Sequence, residues 1–443
     1  MSPTDLPQQA YAAALAGLPG MGPSRLTAVL ADQPPADAWA RVCNGDLPLG
    51  PGLAQALGPR ATDLLAAWRL TATHQDVAAI WGSLTATNVH VVVRGTPAYP
   101  SLLAHDIEPP AVLFHRGPLA CITSPRVAIV GTRRSSRTGT GVAFELGRDL
   151  TAAGVAVVSG LAAGIDGAAH RGALAALAAA DDDGSTARCG AGSGAWTGRL
   201  AGHVLAAAGA AGGLLPDDEA PQVAGPAPAP TSPSRAAAGA PPVGVVGSGL
   251  DVVYPRSNTD LWRAVGEVGV LLSEAPPGAR PERWRFPARN RIIAALADLV
   301  VVVESHRRGG SMHTVDEADR RGVDVLAVPG SVRNPAAGGT NDLLAEGRTP
   351  VCCADDVLLA LGLDTARRRT GAGPPDPRPR PAPDDEAVLE AVGWQPATLD
   401  QLVLHTGLDL ARLAPAIDRL CDTRWMVRRG GWYERVAVAE QPA

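Results

Sequence analysis

The stretch VAIVGTRRSS, residues 127–136, decides the fold. Four apolar residues run into a glycine, and a helix-competent segment follows from about Gly139. An unbroken Val/Ala/Ile run predicts a strand buried on both faces, as in a parallel sheet. A strand that turns at glycine into a helix N-terminus presents unpaired backbone N–H groups, which suit an anion. Gly131 permits close backbone approach, Thr132, Ser135 and Ser136 add hydroxyl donors, and Arg133 adds a charged fork. The same residues also fit a plain glycine turn with surface arginines. The spacing G-x-G-x-x-G fails after Gly131, so this is not a dinucleotide fingerprint. It is not a P-loop either, because that motif needs a lysine and the chain has none.

Working outward, the same pattern recurs. VAVVSG (155–160), VGVVGSG (243–249), VGVLLSE (268–274), DLVVVVE (298–304) and VDVLAVPG (323–330) are apolar runs, each followed by a helical stretch. Together they predict an α/β, Rossmann-like domain over 89–362, with a parallel-rich sheet and helices on both faces. VHVVVRG (89–95) adds a further strand at its start. Residues 1–88 read as a small helical domain, with Leu15, Leu18, Leu26, Val29 and Leu30 at helical spacing. Within it LAGLPGMGPSRL (15–26) is similar to a helix-hairpin-helix, as in SAM-like domains, whose backbone can hold a phosphate. A tight turn in a packing domain is the favoured reading. Residues 178–240, rich in Ala, Gly and Pro without a period, are expected to form a disordered insertion, and 363–384 a Pro/Arg-rich linker. Residues 385–436 divide into three helical runs and a hairpin around Gly430-Gly431, which is winged-helix patterning, with Thr398 as a helix cap. Its third helix carries Arg412 and Arg419 against Asp409, Asp418 and Asp422, so DNA and protein are both open as its partner.

Composition narrows the function. The chain has 443 residues, 46% of them hydrophobic, and a net charge of −5. Any nucleic-acid contact is therefore a local patch rather than a basic coat. All 39 Lys+Arg residues are arginine, a phosphate-binding fork that cannot supply Schiff-base chemistry. The six cysteines form no CxxC pair, which argues against structural zinc and a disulfide scaffold. MSPTDLPQQA lacks the features of a signal peptide, and no apolar run is long enough to span a membrane, so a cytoplasmic protein is expected.

Two more motifs carry chemistry. In SGLAAGIDGAAHRGAL (159–174), Gly160 and Gly164 bring backbone near a ligand at a strand end. Asp166 and His170 lie four apart, on one helix face. They could be an acid/base pair, but no nucleophile accompanies them; the preferred reading has Asp166 capping the helix and fixing His170 by a hydrogen bond. ARPERWRFPARNRIIAAL (279–296) holds Arg280, Arg283, Arg285, Arg289 and Arg291 against Glu282, with Trp284 and Phe286 interleaved. Arginines for phosphates beside aromatics for bases are what a single strand requires. The alternative is a structural turn paired with acids such as Glu274 or Glu304.

In their order, VAIVGTR, SGLAAGIDGAAHRGAL, VGVVGSGLDVVYPRSN, LLSEAPPG, FPARNRIIAAL, GGSMHTVDEA, and AVPG followed by GTNDLL resemble the DprA (Smf) DNA-processing family. The likeness runs over about 96–362 except the insertion. It implies an extended Rossmann-like fold that binds and protects single-stranded DNA, forms a homodimer, and loads RecA recombinase in natural transformation. It implies no enzymatic activity, cofactor or metal. By motif match Gly131, Thr132 and Arg133 would contact a phosphate, Arg283 would be a basic contact, and Phe286 would lie against a base. With these, Ser135, Ser136, Gly160, Gly164 and Arg289 complete the expected DNA-binding set. His313 and Val315 stand where the family usually has an aliphatic residue and alanine. The alternative function is a nucleotide phosphoribohydrolase, whose P-G-G-x-G-T-x-x-E loop GGSMHTVDE (309–317) resembles, with Met312-His313 disrupting it. Leu343 and Leu344 are candidates for a dimer surface.

Overall fold

The computed structural model describes residues 6–123, 125–182, 239–363, 378–393 and 396–436. These fall into two compact units, divided between Leu363 and Asp364.

The first unit begins with six helices: α1 (Gln8–Ala16), α2 (Pro23–Val29), α3 (Pro35–Asn44), α4 (Pro51–Leu57), α5 (Ala61–His74) and α6 (Val77–Ala86). Proline stands in the first turn of α2, α3 and α4, where its missing N–H costs nothing and its fixed φ suits the helix. These helices share one hydrophobic cluster, around Leu15, Leu26 and Trp68, with Val91, Phe114 and Leu271 of the sheet.

The α/β part follows as β1 (His90–Val93), α7 (Ser101–Ala104), β2 (Val112–Arg116), β3 (Arg126–Val130), α8 (Arg137–Ala152), β4 (Ala156–Ser159), α9 (Ile165–Asp182) and β5 (Val243–Val246). It continues through α10 (Thr259–Val268), β6 (Val270–Ser273), α11 (Arg285–Leu296), β7 (Leu299–Val302), α12 (Met312–Arg321), β8 (Asp324–Ala327), α13 (Gly338–Ala345) and α14 (Ala354–Ala360). The sheet order is β1-β2-β6-β5-β4-β3-β7-β8. From β6 to β8 every neighbour is parallel, while β1 and β2 are added antiparallel at one edge. The chain steps from β3 outward to β6, then returns to the other side of β3 as β7. The reversal lies between β3 and β7, and ligands of such sheets bind in the crevice outside the strand ends there. One face of the sheet is covered by α8, α9 and α14, the other by α11 and α12. β3 to β7 are each buried on both sides, as their unbroken apolar runs require, apart from partial exposure at Arg126.

Three expectations are corrected. Residues 178–182 belong to α9, because the run AALAAADD extends a helix of strong formers rather than ending it; 183–238 lie outside the described residues. Leu343 is 2% exposed and packs in the sheet's core beside Leu344, so it does not offer a free surface. The segment expected as linker to residue 384 is already structured at Arg378, whose guanidinium lies 3.8 Å over Trp425. The rest of it, 364–377, lies outside the described residues.

The second unit comprises α15 (Pro383–Val392), β9 (Ala397–Thr398), α16 (Leu399–Thr406), α17 (Leu410–Asp422), β10 (Met426–Arg429) and β11 (Trp432–Arg435). Its core joins Val388, Leu402, Leu413, Ile417, Leu420 and Tyr433, and the order is that of a winged helix. Thr398 does cap α16, accepting from the Gln401 N–H in a capping box. On α17, Arg412 pairs with Asp384 and Arg419 with Asp385, both at 2.6 Å. The arginines of the helix that would enter a groove are therefore held by carboxylates of α15.

Candidate nucleic-acid interface

The turn after β3 sits at the reversal point of the sheet. Gly131 passes so close to the start of α9 that a side chain there would meet Ile165 at 2.5 Å. The Thr132 N–H donates to the Glu304 carbonyl (2.7 Å), tying the turn to the residue two beyond β7. Gly164, with φ +77°, brings the β4–α9 turn against the same residues; an added Cβ would lie 2.3 Å from the Thr132 oxygen. Positive φ and this approach both demand glycine, so Gly164 locks two loops together rather than lining a groove.

The expected anion site at the start of α8 is already filled. Glu304, 6% exposed, accepts from the Ser136 N–H (2.8 Å) and the Ser136 hydroxyl (2.6 Å), and from Asn334 Nδ2 (3.0 Å). Ser136 also caps the helix, accepting from the Gly139 N–H. A carboxylate at a helix N-terminus is stabilised by the same dipole and donors that would bind phosphate. The Ser135 hydroxyl is engaged with Thr140 (2.7 Å). Ser135 and Ser136 therefore hold the turn's shape, and Glu304 pairs with Ser136 and Asn334 rather than with the arginine-rich run.

Arg289 is corrected as well. Its residue is 7% exposed, and its guanidinium fills the space that Gly160 leaves by lacking a side chain. Its Nη1 donates to the Val245 carbonyl. Burial pushes its pKa down to about 10, opposed by nearby Asp166 and aided by Arg133. It remains charged at neutral pH but has no open path to a strand. The Gly160 N–H donates to Asp166 (3.1 Å), whose carboxyl is pushed up by burial and pulled back by Arg289, that N–H and Arg133. The expected bond from Asp166 to His170 does not form: the carboxylate turns back to the strand end. Among the described residues neither ring nitrogen of His170 has a well-aligned hydrogen-bond partner, and burial, weakly opposed by the Ser159 backbone, pushes its pKa down to about 4.

What remains exposed comes together. Arg133 leaves the turn and places its guanidinium carbon 4.5 Å over the ring of Phe286, within cation–π range. The ring of Tyr254, which the sequence reading did not single out, lies 5.6 Å from Phe286. Arg283, from the same arm, is exposed and has no partner among the described residues. Arg285 stacks on Trp284 at 4.5 Å, and Arg291 pairs at 2.6 Å with Glu274, one of the two acids named for this run in the alternative reading. Arg133 and Phe286, 153 residues apart in sequence by their numbers, thus form one cationic-aromatic edge above the sheet.

Comparison with known proteins identifies the family. The family model described as DNA recombination-mediator protein A matches residues 90–180 and 233–362, and one described as the DprA winged helix domain matches 372–418. The DNA processing protein DprA of Streptococcus pneumoniae is 32% identical over 260 residues, covering 59% of this chain and 70% of the relative. That of Bacillus subtilis is 29% identical over 270 residues, covering 61% and 70%. The crystal structure of DNA processing protein A from S. pneumoniae superposes with a TM-score of 0.52 and 27% identity, covering 80% of this chain and 96% of that one. Helices on both faces of a mostly parallel sheet, a winged-helix unit and these matches together place the chain in the DprA/Smf family.

Proposed function

We propose that this chain binds single-stranded DNA along the Arg133–Phe286 edge, protects it, and passes it to a RecA-type recombinase, in natural transformation or related recombination. The observation that carries the reading is the Arg133 guanidinium over Phe286. A cation for the backbone next to a ring for a base meets the two needs of a single strand. Because Glu304 fills the crevice at the reversal point, the strand runs outside it, along the rim. Gly131, Thr132, Ser135, Ser136, Gly160, Gly164 and Arg289 shape and hold that rim. The recombinase and a second copy of the chain are partners inferred from family membership, supported by the mediator role in the family's description.

Arg133→Ala tests the reading. Loss of one charge-assisted contact costs about 1.5–3 kcal/mol, roughly tenfold to a hundredfold in Kd. Each single-strand phosphate released from contact makes the log–log salt slope shallower by about 0.7. Filter binding at several salt concentrations measures both. Unchanged affinity with an unchanged slope refutes the assignment.

A further inference from the structure

Beside this edge lies a groove that the reading above does not use. It separates the turn joining α1 to α2 from the arm running from Pro276 to Arg291, and has a volume of about 870 Å³. Gly20, Met21 and Pro23 form one wall; Pro276, Trp284 and Pro287 form the other. A smaller hollow shares Met21, Gly22 and Trp284 and extends to Val246 and Gly247 at the end of β5. Gly247 in turn adjoins the Phe286 ring, which a Cβ there would meet at 3.4 Å. The groove thus lies on the same arm as Phe286, with Gly247 between the hollow and that ring.

Its charged walls are neutralised from within. Glu317 is bound by Arg320 and Arg321, Glu108 by Arg320, and Arg291 by Glu274. Arg25 donates to the carbonyls of Gly20 and Ala56. Glu282 takes the Trp284 indole N–H and lies 4.0 Å from Arg285. Trp284 stays 45% exposed although it is large and apolar, and it carries a guanidinium against its ring. Such a plane accepts a nucleobase of any identity. Arg280 and Arg283, either side of Glu282, are exposed and lack partners among the described residues, which leaves two cations for the flanking phosphates.

We infer that this groove is a second base-binding subsite, in which one base of the same single strand stacks on Trp284 while Arg280 and Arg283 hold its phosphates. The inference rests on the single-strand reading above. An aromatic groove whose acids are paired, with cations at its margin and near the first site, fits a continuing strand. The volume matches small-ligand sites, which span about 300–1,000 Å³, and so has room for a nucleotide.

The test is a series of deoxythymidine oligomers of increasing length, binding to the full chain, to Trp284→Ala and to Trp284→Phe. Oligomers long enough to reach the groove should bind Trp284→Ala about fivefold to a hundredfold more weakly, the range for one lost base stack. The shortest oligomers that bind at all should be unaffected, and Trp284→Phe, which keeps an aromatic face, should retain most of the affinity. A single abasic position in the long oligomer, scanned along it, should weaken the wild type at one site and leave Trp284→Ala indifferent there. Equal affinity of wild type and Trp284→Ala at every length overturns the subsite. So does an equal loss at every length, since the two sites would then not be separate. A wild-type chain that binds no oligomer refutes the functional reading itself, a distinguishable outcome.

Discussion

Gly160→Ala adds one methyl group, and the structure says where it goes. The new Cβ would lie 1.8 Å from Arg289 Nη1 and 2.4 Å from its Cζ, where ordinary contact is about 3.5 Å. The guanidinium must therefore move by roughly 1.5 Å or more. It then loses the Val245 carbonyl, a charge-assisted bond worth about 1.5–3 kcal/mol, and withdraws from buried Asp166. A loss of about 1.5–3 kcal/mol is therefore expected. Urea denaturation of the variant measures it. A thermodynamic cycle with Arg289→Ala sharpens the test. If the methyl acts by displacing the guanidinium, Gly160→Ala should cost little once Arg289 is gone. A loss under about 1 kcal/mol, or simple additivity of the two substitutions, refutes the assignment of Arg289 as a structural cation.

Two further outcomes follow from the same loops. Glu304→Gln removes the charge at the start of α8 and leaves one acceptor oxygen for three donors; it should cost about 1–3 kcal/mol in urea denaturation, and a loss below about 0.5 kcal/mol would count against the carboxylate's role. His170 is held neutral by burial, with a folded pKa of about 4 against an ordinary 6.5. Its contribution is fully present above pH 6.5 and is lost as pH falls toward 4, by up to about 3 kcal/mol at 1.36 kcal/mol per unit. Buried Asp166, whose carboxyl is pushed up, works in the opposite sense, so the diagnostic is the difference between wild type and His170→Gln across that window. Parallel stability curves for the two proteins would exclude His170 as the source.

Much of the fold was legible because buried parallel strands write themselves as unbroken apolar runs. β3, β4, β5, β6, β7 and β8 all stand where such runs predicted them. Arg133 and Phe286 each stood out in their own motif, but their contact follows from the fold, since they lie beyond β3 and β6, which β4 and β5 separate in the sheet. Glu304 was not. It reads as the last residue of an apolar run, and its partner Ser136 is 168 residues away, so nothing local marks it as the anion of α8. Arg289 looked like its neighbours in an arginine-rich arm. Its turn into the space at Gly160, on another strand end, is marked by no local spacing, and Arg291 is buried as well, against Glu274. The Asp166–His170 pair obeyed helical spacing, yet the carboxylate had a closer donor in the Gly160 N–H. Spacing establishes which side chains share a face; it does not establish which of several donors wins.

The carboxylate of Glu304 has a consequence for competition. Folds of this kind ordinarily keep the helix terminus at the strand reversal open, and there free mono- and dinucleotides settle. Here that seat carries its own negative charge, so a lone nucleotide gains little by approaching it and is repelled at close range. On the proposed single-strand reading, a polymer anchored at several points along the rim accumulates contacts that a monomer lacks. A cell full of nucleotide monomers would then leave the edge free for a chain.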